Sequence, residues 1–179
     1  GDPAQADWRF NGTVHDLDLS AELHQALPAP LAEQIALLAV FRGRIQVDFD
    51  VQSDSTAPHG YRFDVKGRIT EGRFDDRRLP DQFRNIRGSI QANNEGLVVE
   101  NLFAQSGRAT LWISRGRAGF GPQAPWSVKA KVTQLQLDSR LRACLPEPLQ
   151  ERWDEFQPLG QVDADMDVTW DGRRLDMAA

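Results

Sequence analysis

Residues 8–34 read WRFNGTVHDLDLSAELHQALPAPLAEQ, and residues 126–152 read WSVKAKVTQLQLDSRLRACLPEPLQER. Laid over each other without gaps, the two stretches share Trp8/Trp126, Val14/Val132, Leu17/Leu135, Leu19/Leu137, Leu23/Leu141, Leu27/Leu145, Pro28/Pro146, Pro30/Pro148, Leu31/Leu149 and Glu33/Glu151. All but the glutamate are apolar or proline, so the match lies where a fold is specified and not where chemistry is done. One residue then drops out, and the pairing resumes at Gly43/Gly160, Ile45/Val162, Phe49/Met166 and Val51/Val168. Self-similarity at a fixed spacing is the mark of a repeat architecture.

Each copy opens on a strand pattern. Phe10, Gly12 and Val14 alternate, and then the phase changes at Leu17 and Leu19. The same slip separates Val132 from Leu135. A slip in a period of two means one extra residue in the strand, so both copies predict a β-bulge or bend. Ser20 and Asp138 are helix N-cap types at matching positions. Leu23 and Leu27, like Leu141 and Leu145, then fall on one helical face. Pro28 and Pro30 cannot sit inside a helix, so the first helix is short, whereas Pro30 suits the first turn of a second. Leu31, Ile35 and Leu38, and in the other copy Leu149, Trp153 and Phe156, continue the apolar face. Gly43 and Gly160 are the expected helix ends.

The remainder reads as strands joined by turns. Ile45, Val47, Phe49 and Val51 alternate with polar residues, as in a half-buried antiparallel strand. SDSTAPHG is a turn, and Tyr61 to Ile69 alternate again. TEGRFDDRRLPDQF reads as loop, anchored by Phe74 and Leu79. Ile86, Gly88 and Ile90 lead to Asn93-Asn94-Glu95-Gly96, a hairpin signal. Leu97, Val99 and Leu102 follow, then a turn at Ser106-Gly107, then Ala109, Leu111 and Ile113. RGRAGFGPQAP closes the unit. The expected unit is one strand, two short helices with a kink, and about six further strands. Strands in direct succession make an antiparallel meander and not a parallel α/β sheet. The fold class is thus mainly β with short helices. Residues 1–179 form one fragment, with a first unit over about 8–125 and the start of a second over about 126–179.

Composition bounds the function. The 179 residues are 40% apolar and 26% charged, as in a globular protein. A net charge of −5 supplies no basic field for nucleic acid or an anionic membrane. The one cysteine, Cys144, is expected to pack as a small hydrophobe and excludes a disulfide within the chain. No run reaches the roughly 18 apolar residues that span a bilayer. The edges GDPAQAD and LDMAA read as cuts from a longer protein.

The search for catalytic chemistry yields no site. His15, His24 and His59 have no partner at metal-ligand spacing. Asp48/Asp50 and Asp163/Asp165/Asp167 share one side of a strand opposite the apolar side, which describes a solvated face; calcium needs a looped backbone. No serine sits in a GxSxG context, and the glycines at 116, 119 and 121 lack phosphate-loop spacing. No enzyme activity, cofactor or metal is expected. Trp112 and Phe103 are out of phase with their apolar neighbours. They predict either a rim contact or a sheet apolar on both faces, one under the helices and one lining an open trough.

FRNIRGSIQANNEGLVVENLFAQSGRATLWISRGRAG, residues 83–119, resembles the strand pattern of the AsmA-like proteins, bacterial relatives of TamB and of the bridge-like lipid transfer proteins. The matching positions are Asn85, Ile86, Gly88, Ile90, Asn94, Gly96, Leu97, Asn101, Leu102, Ala104, Ser106 and Gly107. The resemblance implies a repeating β-groove, U-shaped in section, whose apolar interior carries phospholipid or other acyl chains across the periplasm. It also implies a membrane-anchored parent protein and neighbouring repeats of the same chain as partners. Ile86, Ile90, Leu97, Val99, Leu111 and Ile113 are the expected lining. Two other readings stay open. One is a structural or protein-interaction β-repeat with a filled core. The other is a carbohydrate-binding β-sandwich that uses the out-of-phase aromatics.

Overall fold

The computed structural model describes residues 7–19, 41–57, 60–76, 79, 81–121, 123–145 and 147–178. The expected first helix pair, with Ser20, His24, Pro28 and Pro30, lies outside the described residues, as does His59. Nine strands form one sheet: β1 (Arg9–Leu19), β2 (Phe41–Ser53), β3 (Tyr61–Phe74), β4 (Phe83–Asn93), β5 (Gly96–Ser106), β6 (Ala109–Gly119), β7 (Trp126–Leu137), β8 (Gly160–Trp170) and β9 (Leu175–Ala178). Two helices, α1 (Ser139–Cys144) and α2 (Glu147–Phe156), interrupt the meander between β7 and β8. Every strand pairs antiparallel with the next in sequence, in the order β1 to β9. The described residues form this one sheet and no second one. The sheet is open and curled, and its two edges do not meet.

The two slips of phase are bulges. Pairing with β2 shifts between Val14 and Leu17, and pairing with β8 shifts between Val132 and Leu135. The bulge residues, Asp16 (φ 53°) and Gln134 (φ 55°), occupy matching places in the two copies and both take the left-handed conformation. Asn85 (φ 54°) and Asn101 (φ 51°) do the same in β4 and β5. Each bulge re-aims the rest of its strand, so the apolar side stays on one face while the strand bends.

The expected boundaries are corrected in four places. β3 runs on through TEGRF to Phe74, and β6 runs on through RGRAG to Gly119. Both extensions hide behind small residues. Gly72 and Gly116 sit on the apolar face under bulky neighbours: a Cβ on Gly72 would lie 2.5 Å from the Phe41 ring. Among the described residues, five strands, β2 to β6, lie between Phe41 and Trp126, where the sequence predicts about six. Gly43 lies inside β2 and Gly160 opens β8. The left-handed residue that follows α2 is Gln157 (φ 45°). Phe156 does not continue a buried helical face, since it is 73% exposed.

Local chemistry explains the connections. The Asp138 carboxylate accepts from the N–H groups of Arg140 and Leu141, both at 3.0 Å, and so caps α1. Leu145, ahead of Pro146, is extended and ends α1. The hairpin at Asn94-Glu95 forms as expected, although neither residue is left-handed. Asn93 Oδ1 accepts from Glu95 N (2.9 Å) and Gly96 N (3.2 Å), and the Asn94 side chain ties the turn back to Tyr61 and Phe63 of β3. The core sits at the helix end of the sheet, where Phe41, Ile45, Ile69, Ile86 and Ala104 are buried.

Candidate functional site: the apolar face of the curled sheet

Register aligns the inward residues into rows. One row runs Val14, Val47, Gly67, Ile90, Val99, Gly116, Val128 and Val168, directly paired across eight successive strands. The next row is Gly12, Phe49, Val65, Ala92, Leu97, Ala118, Trp126 and Trp170. Neither row contains a polar side chain. Their side chains are mostly half-buried, and no described element lies across them. Trp126 is 38% exposed, and Phe10, one pair below Gly12 on β1, is 64% exposed.

Curvature follows from the alternation of large and small. A Cβ on Gly67 would meet Ile45 Cδ1 at 2.6 Å and Ile90 Cγ1 at 2.7 Å. Side chains of β2 and β4 therefore lean together over the glycine, which a flat sheet would not allow.

The six expected lining residues all fall on this face. Ile90 pairs with Val99, Leu97 with Ala118, Leu111 with Ala104, and Ile113 with Leu102. Five are half-buried. Ile86 is 5% exposed and belongs to the packed cluster. The face thus has two regimes: at the helix end it is filled with side chains on β2 to β5, and along the rows below no described element covers it.

A cavity of about 520 Å³ opens at the helix end. Its floor is Leu111, Val132, Leu135 and Met166; Phe83 and Leu79 form one wall, and Leu141 and Cys144 of α1 form the roof. Sequence reasoning missed it, because these residues come from stretches up to 87 positions apart (Leu79 to Met166) that only the meander brings together. Arg140 bridges its rim, with Nη1 3.4 Å from Asp81 and Nη2 3.1 Å from Asp138. The Leu141 N–H, helped by Arg140, holds the Asp138 carboxyl below its ordinary value; hydrogen bonding to Asp138 raises Arg140 in turn.

The opposite face is a lattice of charges. Arg9 pairs with Asp50, Lys129 with Asp167 (2.9 Å) and Lys131 with Asp165 (3.7 Å); Asp48 accepts from Thr13, and Asp163 from the backbone N–H of Gln134. The acidic runs are therefore partners of neighbouring strands. Among the described residues no cluster of His, Cys, Asp or Glu could hold a metal ion. Trp112 and Phe103 are a cross-strand pair on this outer face, beside Lys131 and Arg87. They make no second trough, because helices and apolar rows share the other face. No described helix is long and apolar enough to cross a membrane.

Compared with known protein families, with curated proteins and with solved structures, the chain has no match.

Proposed function

We propose that the chain is a non-enzymatic length of lipid-conducting β-groove within a larger, membrane-anchored protein of the cell envelope, working in the periplasm. One observation carries this reading: two uninterrupted apolar rows cross eight strands, and no described element covers them. A strip of that kind stabilises an acyl chain by about 0.8 kcal/mol per methylene removed from water. It has no specific site at which the chain must stop, so phospholipid slides. The outer lattice of ion pairs keeps the other side wet. No described strand pairs with the far edge of β1. Its sequence counterpart, β7, is covered there by β6, so a neighbouring repeat of the same parent chain is the natural partner.

The buried cluster at the helix end favours the second reading, a structural β-repeat with a filled core. Phospholipid recovered by mass spectrometry from the mildly extracted parent protein supports the groove; lipid-free parent and fragment support the filled repeat. Leu97→Asp separates the two better than Leu111→Asp, because Leu111 packs on the buried cluster whereas Leu97 lies in a row that no described element covers. In the groove reading, Leu97→Asp lowers lipid recovery and leaves the melting temperature nearly unchanged.

A further inference from the structure

The cavity beneath α1 is an open, mainly apolar hollow that the described residues leave unfilled. Its floor is well packed, with Val132 7% exposed, yet no residue of the roofing helix is buried. Apolar surface that faces water in such a hollow gains when a guest's methylenes cover it. At about 520 Å³ it falls within the range of small-ligand sites.

The rim says which guest. Among the described residues its charges are two carboxylates, Asp81 and Asp138, and two guanidinium groups, Arg140 and Arg108. Arg140 already joins both carboxylates. An anionic head would meet Asp81 and Asp138 inside a chain of net charge −5. A cationic head would meet the two arginines. A head with a phosphate and an ammonium group finds a partner for each: the arginines for phosphate, and the carboxylates for ammonium.

We propose that this cavity is an end-site that holds one acyl tail of a zwitterionic phospholipid, with the head at the Asp81–Arg140 rim. The proposal rests on the lipid reading above and adds a place and a head-group preference to it. The open rows favour sliding, whereas this cavity favours dwelling.

Cys144 lines the roof and is the only thiol in the chain, so it reports occupancy. The experiment measures the rate of Cys144 alkylation by N-ethylmaleimide on the whole 179-residue chain. The probes are sub-micellar lysophosphatidylcholine, lysophosphatidylglycerol of equal chain length, and tail-less glycerophosphocholine. A competitor at ten times its dissociation constant slows the reaction about tenfold. That is the result expected for lysophosphatidylcholine, with weaker protection by lysophosphatidylglycerol and none by glycerophosphocholine. Leu141→Trp, which fills the gap from the half-exposed roof, abolishes the protection without lowering the melting temperature. Met166→Trp fills it from the floor and serves if the first variant does not fold. Equal rates with and without lysophosphatidylcholine overturn the proposal. So does protection by the tail-less probe, or protection that survives both tryptophans. Phospholipid recovered from a protein whose Cys144 stays fully reactive sinks the end-site and spares the groove. Protection of Cys144 without lipid movement between vesicles does the reverse.

Discussion

Ile45 and Phe10 project from neighbouring strands onto one face and differ in what covers them. Ile45 is 2% exposed within its packed cluster, whereas Phe10 is 64% exposed. Ile45→Ala removes packed methylenes and leaves a hole, and is expected to cost about 2–5 kcal/mol in denaturant unfolding. Phe10→Ala is expected to cost well under that and to act on lipid recovery instead. Asp138 supplies a second residue-scale test. Its carboxyl is held below the ordinary carboxylate value of about 3.9 by the N–H groups it caps. The sign follows: its contribution is full above that value and is lost as pH falls through the lower native one. Asp138→Ala therefore melts earlier than wild type at about pH 6, and the gap closes towards about pH 2. Asp138→Asn, still a capping residue, keeps most of the neutral-pH stability. A gap that stays constant with pH would remove the cap from the account.

Bulges dominate at the scale of the element. Those of β1 and β7 were legible as a slip between Val14 and Leu17 and between Val132 and Leu135. The same kind of slip exists in β5, where Leu97 and Val99 give way to Leu102 and Ala104, and it passes through Asn101. Read for phase alone, that bulge was there to be found. The extensions of β3 and β6 were not, because their inward positions are Gly72, Gly116 and Ala118. Small residues read as loop in a linear pattern, but the curl needs them to receive Phe41 and Val128. That the six expected lining residues share one face followed from alternation. The cavity under α1 did not, since no periodicity joins Leu79 to Met166. Asn101 tolerates its left-handed backbone better than most residues. Asn101→Val is expected to cost about 1–3 kcal/mol in chemical denaturation, and Asn101→Gly close to nothing. Equal behaviour of the two variants would mean that the backbone at this bulge carries no strain.

For the whole molecule, stability is uneven by construction. The buried cluster draws on β2 to β5, while β9 is four residues long and no residue of α1 is buried. Hydrogen exchange followed by mass spectrometry is therefore expected to grade along the chain, slowest in β2 to β4 and fastest in β9 and the helices. Uniform protection from β2 to β9 would contradict a core confined to one end.

The strict succession of strands carries one more consequence. Because β1 to β9 pair only with the next in line, every strand ladder spans a single connection. A ribosome releasing this chain exposes each hairpin partner moments after the one it needs. Assembly can advance like a zip behind the exit tunnel, with no unpaired half waiting for a distant mate.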